Sequence, residues 1–467
     1  MSERHASSRW VDLLAAGRLP RFAVICLGVW LNAADSLVTA TIMPSVAADL
    51  GGYAYFSWAV AGFLVGAILA GASAGRISEL LGLRIATMLA GLVFTLGCVL
   101  SALAPDMGIF LCGRMLQGAG SGWISGFAMV AIALLFPQQH IARVFAAVAA
   151  VWGVATVLGP LIGGIFAQTG HWRGVFWLFA AQALLFTIAA PMLLAGAVQP
   201  QRGAQIPLVQ LVLLAFAVGS IALADTSAGP SGALALTALG LLLLQLLVRF
   251  DERASVRLLP RGTRDVRTVY GSGYAAMFAL SATSMGLLIY GPALLQELRA
   301  LSPLWAGYVV AAHAMAWTLG AFVVAGVTPA TEGRWIRLGA SCIVAGVVAL
   351  TLVMRSAAVG WVVLAAATMG AGFGFSSSLM NRRVLAALRQ EDRATGSSAL
   401  IAVRETGGAV GAAIAGATAN LAGFRVGITQ ESASLAAVWI FLTAIPIALV
   451  GAWMARRLSR APAHPSH

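Results

Sequence analysis

The 467-residue chain alternates long apolar runs with short polar breaks. A helix that crosses a bilayer needs roughly 20 apolar residues. On that measure spans are predicted near Phe22–Val46, Trp58–Ser78, Ile85–Ala104, Met107–Ala131, Ile141–Ala167 and Val175–Leu194. Two more follow near Pro207–Ala224 and Ala233–Val248, then a polar, arginine-rich stretch from Arg249 to Arg267. The last six lie near Thr268–Leu295, Pro303–Val327, Ile336–Met354, Trp361–Met380, Ser398–Leu421 and Ala433–Met454. The order is six, two and six, fourteen spans in all. It divides the chain into an N-terminal stretch (1–21), a first six-helix unit (22–195), an inserted pair (196–249), a linker (250–267), a second six-helix unit (268–456) and a tail (457–467).

Composition agrees with an all-α polytopic membrane protein. Sixty per cent of residues are hydrophobic and only 10% charged, against about 25% charged in soluble domains. The net charge of +13 comes from arginines placed between apolar runs. It is therefore not a nucleic-acid footprint. All 29 basic residues are arginine. With the N-terminus inside, 23 of them fall in cytoplasmic segments and four, Arg173, Arg299, Arg355 and Arg425, in outer loops. This positive-inside bias places both termini in the cytoplasm. The first apolar run is too long for a cleaved signal-peptide core and reads as a retained span. Short outer loops point to a bacterial inner membrane. Cys26, Cys98, Cys112 and Cys342 have neither paired nor metal-ligand spacing and read as small apolar residues.

Two arginines, Arg114 and Arg404, lie within spans. A guanidinium stays charged, and centring it in lipid costs about 2.5–3.5 kcal/mol on insertion scales. Arg114 is thus expected to face a wet cavity or a carboxylate, with Gln117 on the same helical face. Gly118, Gly120 and Gly122 offer a smooth side for a neighbouring helix.

Several stretches resemble motifs of the major facilitator superfamily. Between spans two and three, GRISELLGLR is similar to the GxLaDrxGrr signature. Gly75, Gly82 and Arg84 match it, Glu79 stands in place of aspartate, and Leu83 replaces a frequent basic residue. The resemblance implies a turn that helps lock the half-bundles in one closed state. RMLQGAGSG, from Arg114, resembles the fourth-span motif tied to proton coupling. GVATVLGPLIGG in span five resembles the exporter motif. There Gly159–Pro160 softens the helix, while Gly153, Gly163 and Gly164 allow close packing. LNAADSLVTATIMPSVAADL is similar to the first-span motif of the fourteen-span drug:proton antiporters, with Ser36 and Thr41 departing from the commoner residues. GAGFGFSSSLM and RATGSSALIAVRETGGAVGAA resemble spans twelve and thirteen of that branch, Glu405 standing where an amide is usual. The resemblance implies two six-helix bundles related by a pseudo-two-fold axis, with the middle pair as an insertion.

Candidate chemistry centres on Asp35, halfway along span one, with Asn32 one turn back on its face. Burial opposes ionisation of a carboxylate and a nearby guanidinium favours it. A balance of the two can set a proton site near physiological pH. Asp35 is expected to alternate between a proton and a cationic or polar substrate, with Arg114 tuning it and Glu405 as a further titratable candidate. His313 lies in an apolar helix, as hydrogen-bonded core residues often do. Asn32, Gln117, Trp123, Phe127, Tyr290, His313 and Phe375 are the expected cavity lining.

No Gly-Lys-Ser/Thr phosphate loop and no His/Cys cluster is present in the sequence, which argues against ATP-driven transport and a metal centre. The sequence therefore predicts a monomeric secondary transporter, not an enzyme, driven by the proton gradient without another cofactor. Its expected partners are a small-molecule substrate, protons and the lipid bilayer. Export of drugs or other amphipathic molecules is the leading reading. An importer or organic-anion transporter of the same fold is the alternative. A membrane enzyme on a lipid-linked substrate predicts paired carboxylates or histidines at a membrane face, which the sequence lacks.

Overall fold

A computed structural model describes residues 18–136, 138–193, 207–226, 229–389 and 392–460. Most of the N-terminal stretch, the start of the inserted pair and most of the tail lie outside the described residues. Among the described residues there are thirteen α-helices. They are α1 (Arg18–Leu50), α2 (Trp58–Leu103), α3 (Met107–Leu135), α4 (Gln138–Gln168), α5 (Arg173–Leu193), α6 (Leu208–Asp225) and α7 (Pro230–Asp251). The second half holds α8 (Val269–Arg299), α9 (Pro303–Val323), α10 (Pro329–Val353), α11 (Val359–Ala387), α12 (Arg393–Leu421) and α13 (Gln430–Arg460).

Local chemistry sets the ends. The Asp106 side chain accepts from the Ile109 amide at 3.0 Å and starts α3. Thr268 accepts from the Gly271 amide at 3.0 Å and starts α8. Such caps satisfy amides that a helix start leaves unpaired. Proline opens α7, α9 and α10, where a missing amide costs nothing.

The predicted break between spans two and three is shorter than expected. Helix runs on past Ser78 to a single reversal at Gly82, whose φ of 73° and ψ of 154° suit glycine alone. Counting the two arms of α2 apart, the thirteen helices among the described residues give fourteen helical segments in the predicted order. Eleven helices among the described residues are long and apolar enough to cross a bilayer, and Leu208–Ala224 is apolar but shorter.

The two halves repeat one packing device. In α3, added Cβ atoms at Gly118 and Gly122 would overlap the backbone of Phe63 and Ala67 on the first arm of α2. One at Gly120 would lie 2.5 Å from the Phe94 nitrogen on the second arm. In α11, Gly370 and Gly374 seat the backbone of α9 at His313 and Trp317, and Gly372 seats α10 at Gly339. The same G-x-G-x-G spacing thus clamps one helix between two others in each half. Close backbone approach of this kind brings dispersion contacts that lipid cannot replace.

The halves meet along two seams, α4 against α9 and α2 against α12. The inserted helices pack on each other and lie along the α2–α12 seam. Leu214, Val218 and Leu247 bury against Ile68 and Ala409, and Ile221 and Ala222 against Val410 and Ala413. Outward-facing leucines and tryptophans, such as Leu352 and Trp361, form the lipid-facing surface.

Candidate functional site: a sealed charge pair and an aromatic plug

Asp35 on α1 and Arg114 on α3 meet inside the first half, 0% and 1% exposed. Arg114 Nη1 donates toward Asp35 Oδ2 at 2.9 Å and Oδ1 at 3.0 Å, and stands 3.0 Å from Gln117 Oε1. Gln117 Nε2 donates to Asp35 Oδ1 at 3.3 Å and to Cys98 Sγ at 3.1 Å. Ser101 Oγ donates to Gln117 Oε1 at 3.1 Å. Arg114 Nε donates to the Ala59 carbonyl at 3.1 Å, and its guanidinium lies 4.8 Å from the centre of the Phe63 ring. The cluster therefore ties α1, both arms of α2 and α3 together.

The sequence reading of Arg114 allowed a wet cavity or a carboxylate. The structure pairs it with the carboxylate and buries both. Asp35 does not face a substrate space in this conformation. Cys98, read as a small apolar residue, also accepts a hydrogen bond. A buried ion pair adds little net stability over apolar packing, but removing one partner costs about 3–5 kcal/mol. The cluster is thus poised to respond to a change in the charge of one member.

Asn32 lies one turn from Asp35 and donates to Ser125 Oγ at 3.1 Å, fixing α1 against α3. Trp123 Nε1 donates to Ser73 Oγ at 3.0 Å, and Phe127 is 1% exposed. Both pack within the first half. His313 is 2% exposed, in edge contact with Trp317 and Phe373. Phe375 meets the Trp335 ring at 5.3 Å. Glu405 pairs with Arg404, its neighbour in the chain, at 3.2 Å. The expected cavity lining is therefore distributed through both bundles rather than gathered around one space.

Tyr290 lies elsewhere than a central cavity. At the arginine-poor end its ring stacks on Phe56 at 5.2 Å and meets Phe424 edge-on at 5.4 Å. Phe56, Tyr290 and Phe424 are buried, and they come from the α1–α2 connection, α8 and the segment after α12. Asn420 Nδ2 adds a bond to the Ala54 carbonyl at 2.7 Å. These contacts close the arginine-poor end across the two halves. Phe56 and Phe424 were absent from the sequence-based candidates because both lie in connections, outside any periodic run.

The glycine motif of α4 extends this closure. An added Cβ at Gly164 would lie 2.6 Å from Leu304 Cα on α9, and one at Gly307 would lie 3.0 Å from Pro160 Cβ and from Thr41 Oγ1. Gly159 and Gly163 approach Leu37 and Thr41 of α1, whereas nothing lies within 4 Å of a Cβ at Gly153. At the arginine-rich end, Glu79 pairs with Arg76 at 3.0 Å, Gly75 has open space beside it, and Arg84 is exposed. Leu83, which replaces a basic residue of the motif, is 1% exposed. A second pair, Arg382–Glu332 at 3.2 Å, occupies the same end of the other half.

Two repeated helical bundles, an inter-bundle seam and a buried charge cluster define a transporter of the alternating-bundle class. The chain belongs to the Major Facilitator Superfamily, whose family model matches residues 25–412. It is 31% identical over 434 residues to a probable multidrug-efflux transporter of Mycobacterium tuberculosis, covering 88% of this chain and 90% of that one. It is 34% identical over 169 residues to multidrug resistance protein 3 of Bacillus subtilis, covering 35% and 33% of the two chains. In fold it is similar to a POT family transporter crystallised with 5-aminolevulinic acid, with a TM-score of 0.68, 14% identity and coverage of 92% and 95%. It is also similar to a nucleoside transporter, with a TM-score of 0.65, 10% identity and coverage of 94% and 99%. The protein is a multi-pass membrane transporter and not an enzyme.

Proposed function

We propose that this transporter exports drugs or other amphipathic small molecules in exchange for protons, by alternating access. The arginine-rich end faces the cytoplasm, as the positive-inside rule requires, and the membrane is a bacterial inner membrane. The observation that carries the reading is the path from Asp35 through Arg114 to Ala59. Ala59 lies three residues from Phe56, in the first turn of α2. A proton on Asp35 removes the counter-charge of Arg114. The guanidinium must then find new acceptors, and its hold on Ala59 changes with it. Displacing Ala59 displaces Phe56, and the aromatic plug loses its first ring. One proton is thereby linked to closure of the outer end. The proton and the membrane potential drive the cycle, the latter worth about 2.3 kcal/mol per charge per 100 mV. The efflux relatives named above support the substrate class, and the partly buried methionines and aromatics of the central helices suit amphipathic molecules. The transporter works as a monomer.

Liposomes holding the protein and an internal pH dye test this reading. Lipophilic cations added under an imposed pH gradient are expected to release protons through the wild type and not through Asp35→Asn. Movement of organic anions alone would assign the substrate to the alternative class. Equal dye responses from both proteins would remove Asp35 from coupling.

A further inference from the structure

At the arginine-rich end a cavity of about 370 Å³ opens between the halves. Its walls include Arg76 from the first arm of α2, Ser255, Arg257 and Arg261 from the linker, Asp392 just before α12 and Thr395 on α12. Among the described residues its lining holds three guanidinium groups and one carboxylate. Arg76 is partly engaged by Glu79 at 3.0 Å. Arg257 is different: its Nη1 is buried and has no hydrogen-bond partner among the described residues. A buried donor without an acceptor costs about 1–3 kcal/mol, more when charged, so an anion entering the cavity gains a donor that no described protein group competes for.

The linker is held in this shape by dedicated contacts. Asp251, 2% exposed at the end of α7, accepts from the amides of Leu258 and Leu259, each at 2.8 Å. Gln210 on α6, 4% exposed, donates to Asp251 Oδ1 at 3.3 Å and to the Val256 carbonyl at 2.7 Å. Pro260 then packs beside Gly396 of α12. The inserted pair therefore shapes the loop that carries Arg257 and Arg261.

We propose that this cavity binds a phosphate-bearing anion, held by Arg257 and Arg261 with the hydroxyls of Ser255 and Thr395, and bridged to Arg76. Guanidinium forks match phosphate oxygens in number and geometry. The anion spans the first half, the linker and the second half, so its occupancy ties the halves together at the arginine-rich mouth. The inserted helices lie along the α2–α12 seam beside the cavity, which favours a soluble anion over a lipid headgroup.

The test uses the full-length protein in phosphatidylcholine nanodiscs, titrated calorimetrically with inorganic pyrophosphate. Saturable binding is expected, weakened about tenfold by either Arg257→Gln or Arg261→Gln, the loss of one charge-assisted bond. Arg355→Gln, at the opposite end, is expected to leave it unchanged. Two substitutions keep the test decisive if one of them fails to fold. No saturable binding, or equal affinity in all variants, overturns the site. A loss as large in Arg355→Gln also overturns it, since bulk charge would then explain the affinity. In nanodiscs containing phosphatidylglycerol, unchanged pyrophosphate affinity supports the soluble source. Competition by the lipid, abolished in Arg257→Gln, supports the site with a headgroup phosphate as its occupant.

Discussion

The Arg114 side chain donates its Nε proton to the Ala59 carbonyl at 3.1 Å while its Nη1 holds Asp35. One guanidinium therefore touches both Asp35 and the first turn of α2, just after the connection that carries Phe56. Charge and backbone position share a single side chain there.

This geometry separates two substitutions of similar size. Arg114→Lys keeps the charge but lacks a second donor fixed in one plane. It is expected to retain the ion pair, lose the Ala59 bond and cut coupled transport by about tenfold or more. Asp35→Asn leaves Arg114 buried without its counter-ion and is expected to abolish the pH response and to lower stability by about 3–5 kcal/mol. The pH-dye assay and thermal unfolding in detergent, run on both variants, check the pair.

Phe56→Ala removes a ring that contacts both Tyr290 and Phe424. Truncating a buried phenylalanine costs about 3–5 kcal/mol, and most of that loss falls on the closed state because the contacts cross the two halves. Hydrogen exchange in the last turn of α12 is expected to rise by about tenfold or more. Leu352→Ala, on the lipid-facing surface, is expected to leave that exchange unchanged.

The glycines divide by what surrounds them. Gly118→Ala drives a methyl into the Phe63 backbone, which has no rotamer to yield, and is expected to abolish folded protein in detergent extracts. Gly153→Ala meets open space and is expected to be tolerated or to stabilise by about 0.5–1 kcal/mol through helix propensity. Yield and melting temperature report both.

His313 is buried, with the backbone of Ala366 the polar group beside its ring. His313→Leu replaces a buried polar ring by an apolar side chain of similar volume. The variant is expected to keep transport and its pH profile, with a melting temperature equal to or above that of the wild type. A shifted pH profile would add His313 to the coupling candidates.

Much of this architecture was legible in the chain. Apolar run length marked out where the helices lie, because a bilayer of fixed thickness demands a fixed length of helix. The G-x-G-x-G run at Gly118–Gly122 announced close packing, since small residues have few other uses in lipid. The pairing of Arg114 with a carboxylate was legible as well, as one of two partners its charge allowed. Azimuth was not. A residue's face on a helix acquires meaning only once the neighbours are known, so Tyr290 read as cavity lining and lies in the plug. Phe56 and Phe424 carried no signal, because a connection has no period to break. The Arg257 loop was visible only as a charged linker, for its shape depends on Asp251 and Gln210, which the sequence holds 41 positions apart.

The placement of α6 and α7 makes the transporter lopsided in the plane of the membrane. They line the α2–α12 seam, and among the described residues they do not pack on the α4–α9 seam. Acyl chains thus touch the junction between the bundles freely on one flank only. A hydrophobic molecule dissolved in the bilayer meets that junction from a single compass direction, and any lateral doorway it uses has one address.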